Sequence, residues 1–261
     1  MRATSFAVLL FAAVPMFAHH EAIFGPQSAT MIARRRFVAG QYYLTNEGKA
    51  PAAKTRSHIG VLTIGIPLGE EWSVSATLPA ESVRTEGQAT DSGLQDVVFA
   101  ARRSFYLESG ASVLGVATLE PPTTGNLEHR AVGIGGGALY SREWMNWSVV
   151  GYALGRTEKS LEQGERRGHR LFLGSGVGYE REGLPFSPQL GLSWEKTTPR
   201  QEGGRTVTGS DSSVIFVHPT VIFDIADSAQ MFGAVSLPVA QWSGAEGRQR
   251  WRFATGVIWS F

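Results

Sequence analysis

Trp251-Arg252-Phe253-Ala254-Thr255-Gly256-Val257-Ile258-Trp259-Ser260-Phe261, the last eleven residues, decide the fold. Trp251, Phe253, Thr255, Val257, Trp259 and Phe261 share one parity, and Arg252, Ala254, Gly256, Ile258 and Ser260 share the other. An extended chain sends alternate side chains to opposite faces, so this stretch predicts a strand with one large aromatic face and one smaller, more polar face. Phe186, Pro188, Leu190, Leu192 and Trp194 repeat the theme against Ser187, Gln189, Gly191, Ser193 and Glu195. So do Trp72, Val74, Ala76 and Leu78 against Ser73, Ser75 and Thr77.

About twelve such segments follow one another, near 36–45, 57–68, 72–84, 93–107, 111–120, 130–142, 144–156, 168–181, 186–197, 213–224, 229–240 and 248–261. Most reach ~10 residues, longer than the common globular strand and close to what crosses a bilayer at a tilt. Tight connections (69–71, 108–110, around Glu143, 182–185, 225–228) alternate with longer polar ones (46–56, 85–92, 121–129, 157–167, 198–212, 242–247). In an up-and-down meander this places every short turn at one end and every long loop at the other, the asymmetry of outer-membrane barrels. Aromatics near the strand ends, among them Trp72, Tyr140, Trp144, Trp147, Trp194, Trp242 and Trp251, fit interfacial girdles. The expected fold is all-β: an antiparallel up-and-down transmembrane β-barrel of about 12 strands over 35–261. A secreted soluble β-sandwich or lipocalin-like barrel, with the apolar faces turned inward, is the alternative.

Composition agrees. The 261 residues are 43% hydrophobic, and a barrel needs only half of its wall apolar, so the absence of a long apolar helix is no objection. Thirty-one glycines argue against a helix bundle. The absence of Cys excludes disulfides, thiolate metal sites and thiol nucleophiles, and a net charge of +1 gives no case for nucleic acid.

Met1–Ala18 pairs one basic residue, Arg2, with an apolar core from Phe6 to Val14 and a break at Pro15, the layout of a secretory signal peptide. Residues 19–34 show no strand pattern and are expected to lie in the periplasm or to fold into the barrel. Cleavage after Ala18 would leave His19 with a free amine and an imidazole beside His20 and Glu21, a donor set suited to copper(II); the alternative is a solvated tail.

The chain resembles Gram-negative outer-membrane β-barrels, whose final strand ends in an aromatic residue as Trp259-Ser260-Phe261 does. That resemblance implies contact with outer-membrane lipid and recognition by the barrel-assembly machinery through Phe261. The stretch Ser92–Asn126 resembles more narrowly the MetA-pathway phenol-degradation barrel family. The residues concerned are Gly93, Leu94 and Asp96 at a strand start and Pro121-Pro122-Thr123-Thr124-Gly125-Asn126, a departing form of its Pro-Thr-Gly loop. It implies transport of a small solute.

A twelve-strand barrel is wider than the eight strands that side chains fill and narrower than aqueous porins, so a narrow channel for passive passage of small solutes is expected. A non-conducting structural or adhesive barrel is the rival. The expected lumen residues are Asp96, Arg102, Arg170, Glu180, Gln189, Glu195, His218 and Arg252, with Arg102 and His218 near mid-height. Gly133, Gly135 and Gly137, with Gly174, Gly176 and Gly178, are expected to bare the inner wall, leaving space for water, solute or an inserted segment, or relieving curvature. Of consecutive Arg102 and Arg103, one must face outward. The six histidines show no nucleophilic spacing; His129 and His169 lie near rim serines, where a rim-sited lipid hydrolase is a further alternative, and no catalytic residue is expected.

Overall fold

The computed structural model describes residues 36–47, 54–87, 89–107, 111–122, 131–160, 168–180, 183–226, 228–243 and 248–260. The signal peptide, the 19–34 segment, His19, His20, His129 and Phe261 lie outside them. The described residues form only strands: β1 (Arg36–Glu47), β2 (Lys54–Pro67), β3 (Trp72–Thr85), β4 (Asp91–Leu94), β5 (Val98–Tyr106), β6 (Ala111–Glu120), β7 (Ala131–Trp144), β8 (Trp147–Ser160), β9 (Arg170–Tyr179), β10 (Phe186–Thr197), β11 (Gln201–Glu202), β12 (Arg205–Thr206), β13 (Ser212–Ala226), β14 (Ala229–Ser243) and β15 (Arg248–Ser260).

Neighbours around the wall pair antiparallel, and β15 pairs with β1 to close the ring. β4 and β5 both pair with β3, at successive heights, and act as one interrupted strand. The wall therefore has twelve strands, with β11 and β12 forming a small separate hairpin in a long loop. Gly203 (φ 56°) and Gly204 (φ 76°) turn that hairpin through backbone angles that side chains avoid.

Burial is inverted relative to a soluble protein. Ser73, Ser75, Thr77, Ser104, Ser112, Ser141, Ser193 and Ser236 are buried, while Ile64, Ile66, Leu119, Ile134, Leu190, Leu192, Val239 and Trp259 are exposed. A soluble sheet protein would expose the first group and bury the second, so the chain is a transmembrane barrel with its apolar face outward. The aromatic girdles are present: Trp72, Phe105, Tyr140, Trp144 and Trp147 stand exposed near the short-turn end, Trp242 and Trp251 near the long-loop end. Trp147 and Tyr179 pack with ring centroids 4.9 Å apart. Arg103 is the outward member of its pair. It hydrogen-bonds Glu71 and lies 5.3 Å from the Trp72 ring, so its charge reaches the short-turn interface.

Boundaries differ where pairing outlasts alternation. The turn placed around Glu143 is at Met145-Asn146, because Trp144 and Trp147 still pair; Met145 carries φ 52° there. The segment near 93–107 is broken at 95–97, where the register of β3 shifts between β4 and β5. β8 runs on to Ser160, so Glu158, placed in a loop by its polarity, is a wall residue.

Candidate functional site

Among the described residues the inner face carries a set of buried charged and hydrogen-bonding side chains, and the expected residues that lie in strands have the inward parity. Gln189, Glu195, His218 and Arg252 are buried, at 6%, 4%, 5% and 4% exposure. Arg102 and Arg170 are half-buried members of the same inward parity. Arg102 donates to Ser75 Oγ at 2.7 Å. Its register partner is Ser73, the second residue of β3, so it sits near the short-turn end and not at mid-height. Glu180 follows the last residue of β9 at that same end, and Asp96 lies in the break between β4 and β5.

Two side-chain networks organise this face. In the first, Glu195 of β10 takes two hydrogen bonds from Arg252 of β15, at 2.8 and 2.9 Å. The strands β13 and β14 stand between these two in the wall. Arg252 also donates to Gln249 and lies 4.1 Å over the Phe216 ring. One step lower, His218 of β13 bridges two serines: Ser193 Oγ lies 2.6 Å from Nε2 and Ser236 Oγ 2.8 Å from Nδ1. A neutral imidazole has one donor and one acceptor nitrogen, so one serine donates and the other accepts. The Tyr152 hydroxyl of β8 joins through Ser193. Phe172, Phe216, Phe232, Leu114, Leu139 and Ile222 are also buried, all below 2% exposure, and Phe216 packs against His218 and Arg252.

The second network sits toward the long-loop end. Arg156 of β8 is ion-paired with Glu120 of β6 and, at 3.0 Å, with Glu158. Arg170 and Asp96 lie within electrostatic reach of Glu120. Sequence reasoning did not select Glu120, Arg156, Glu158, Tyr152, Ser193 or Ser236. Their inward parity was legible, but reach across the lumen is a property of the closed ring.

Gly133, Gly174 and Gly178, three of the six inner glycines, lie under side chains of neighbouring strands. A Cβ on Gly174 would collide with the Tyr152 ring, on Gly133 with Glu120 and Arg156, and on Gly178 with Ser148 and Gln189. The space these three leave is occupied by side chains of neighbouring strands, whereas a Cβ on Gly137 would meet the Ala153 and Leu154 backbone.

The Ser–His contacts here do not form a hydrolytic triad. Ser193 and Ser236 are 1% and 0% exposed, and His218 Nδ1 meets a serine where a triad needs an orienting carboxylate. His169 is an exposed rim residue whose backbone N–H donates to Thr198 Oγ1. Among the described residues no three His, Asp or Glu are grouped to hold a metal ion.

No protein-family model matches the chain, and no curated protein matches it in sequence. Solved structures do. The COG4313 outer membrane channel from Pseudomonas putida F1 superposes with a TM-score of 0.74 over 87% of this chain and 95% of that one, at 15% identity. The fold is that of an outer-membrane β-barrel. The β domain of the Bordetella autotransporter BrkA is similar at a TM-score of 0.59, with 13% identity, over 87% of this chain and all of that one (100%). The KdgM porin, solved with disordered oligogalacturonate, is similar at 0.51, with 11% identity, over 86% and 99%.

Proposed function

We propose that the chain is an outer-membrane channel of narrow bore for passive passage of small solutes, with its lumen constricted by the Tyr152–Ser193–His218–Ser236 and Glu195–Arg252 contacts. The observation that carries this reading is a set of buried inward polar atoms with no protein partner on both sides of that constriction. On the short-turn side these are both amide atoms of Gln189, the hydroxyl of its register partner Thr220, and Arg102 Nε. On the long-loop side Arg170 Nη1 is the counterpart. Buried polar groups are rarely left unsatisfied, and water or a polar solute satisfies them here. The likeness to channels and porins supports the same class. The resemblance carried by Gly93, Leu94 and Asp96 favours small organic solutes.

On this reading the short turns face the periplasm and the long loops the exterior. Residues 1–18 are removed, 19–34 lie beneath or within the lumen, and Phe261 addresses the barrel-assembly machinery. Copper(II) held by His19 and His20 is a separate proposal, tested by titrating the mature protein and its His19→Ala variant. The rival reading, a non-conducting structural barrel, is favoured by the near-complete burial of Phe216, Ser236 and Phe232.

Planar-bilayer conductance separates the two. A small conductance is expected from the wild type, rising when Glu195 and Arg252 are both replaced by Ser. Absence of current from the wild type, from that double variant and from a form lacking 19–34 would overturn the channel.

A further inference from the structure

On the outward face of β2, β3 and β4, residues stand in registered rows. Arg56 and Arg84, both exposed, are register partners nearest the long-loop end. The next outward row is His58, Ser82 and Ser92, and the one below is Gly60, Ala80 and Leu94. Leu62 and Leu78 of the apolar belt continue it. The middle rows, with Glu81 and Gly93 of the opposite parity, line a shallow depression of about 470 Å³.

Like charges directly opposite across a strand pair are destabilising, and no carboxylate of a described residue is ion-paired with Arg56 or Arg84. The contrast lies within the same barrel. Arg156 and Arg170 are also register partners, but they face inward beside Glu120 and Glu158. Among the described residues the outward pair has no such anion.

We propose that this face binds a phosphorylated glycolipid of the outer leaflet. The proposal rests on the outer-membrane placement and orientation given above, and not on conductance. The order of the rows matches the order of such a lipid. Arg56 and Arg84 take a phosphate, for which guanidinium forks are suited. His58, Ser82 and Ser92 offer hydrogen bonds to sugar hydroxyls. Gly60 and Ala80, with no bulk, make the dent in which the first part of an acyl chain lies against Leu94. A free phosphate would use only the first row, and a simple phospholipid would leave the middle row unused.

The test is native mass spectrometry of the full mature protein in detergent, titrated with diphosphorylated lipid A, its dephosphorylated form and phosphatidylglycerol. The variants are R56Q/R84Q and, as a control on the same rim, K159Q/K196Q; Lys159 and Lys196 are exposed and outward. Heat-modifiable migration on gels verifies that each variant is folded. Diphosphorylated lipid A is expected to bind wild type and control alike and R56Q/R84Q about tenfold more weakly, as loss of charge-assisted hydrogen bonds implies. Equal binding by R56Q/R84Q would overturn the site. An equal loss in the control would reduce it to a general basic rim, and equal binding of phosphatidylglycerol would replace the glycolipid with a phospholipid. Either result overturns the proposal, and neither bears on whether the barrel conducts.

Discussion

Arg156 and Arg252 both sit on the inner face, with side chains 8% and 5% exposed, and both meet carboxylates. The strands supplying those carboxylates lie at different distances around the ring. Glu120 stands one strand beyond β7, and Glu158 is on β8 itself, so Arg156 clamps a short arc of wall over Gly133. Glu195 stands beyond β13 and β14, about 14 Å of wall from β15 at the usual strand spacing. Arg252 therefore leaves the wall and crosses the interior to reach it. One arginine closes a short arc of wall; the other spans a wider one. Charge and burial are alike in the two cases, and only ring position separates them.

The sharpest way to break the comparison is to remove one partner of the crossing pair. Arg252→Met leaves the Glu195 carboxylate buried without its cation, which costs about 3–5 kcal/mol in buried pairs. Urea unfolding in lipid vesicles should show that loss. The double variant Glu195→Met/Arg252→Met should recover most of it, because neither charge is then stranded.

Gly174 offers the next largest effect. The Tyr152 ring lies over it, so Gly174→Val should destabilise by about 1–3 kcal/mol, as overpacking does. In a Tyr152→Ala background the same substitution should be nearly neutral. If the penalty persists without the ring, the glycine serves wall curvature and not the seating of Tyr152.

These two positions also mark how far the sequence could be read. Strand number, parity and the inward placement of Glu195, His218 and Arg252 follow from period-two alternation, because a strand has only two faces. The partner of Arg252 does not follow. It depends on the curvature of the wall and the stagger of β10, β13, β14 and β15, which bring residues 57 apart in sequence to one height. Gly174 shows the same limit. Its side of the wall was legible, but the ring that covers it comes from the neighbouring strand. Glu158 was misplaced for a simpler reason: Thr157 to Lys159 is polar enough to pass for a loop, yet the backbone remains paired.

At the short-turn end the comparison can be sharpened by pH. Burial, then the neighbouring carboxylates of Glu143 and Asp224, push Glu180 up from 4.5 to about 7. Between these values the folded state binds the proton more tightly than the unfolded one, so stability falls as pH rises from about 4.5 to 7. Water at the rim screens the effect to roughly 1 kcal/mol. Glu180→Gln should flatten that part of the pH profile of the unfolding midpoint, whereas an unchanged slope would place the proton on another group.

The smallest effect belongs to the arginine next to an inward one. Arg103 donates to Glu71 at 3.1 Å, but their side chains are 44% and 50% exposed. Its guanidinium also lies 4.9 Å from the Phe105 ring and 5.3 Å from Trp72. An exposed ion pair contributes about 0–1 kcal/mol, and an exposed cation–π contact adds roughly 0.5–1. Because the rings remain when the charge is removed, Arg103→Gln should cost below about 1 kcal/mol in the same vesicle assay. Arg103→Lys should keep most of that contribution if the cation matters and lose as much as Arg103→Gln if it does not. A loss from Arg103→Gln as large as that from Arg252→Met would show that exposure does not separate the two arginines, and the contrast between wall, rim and lumen would fail.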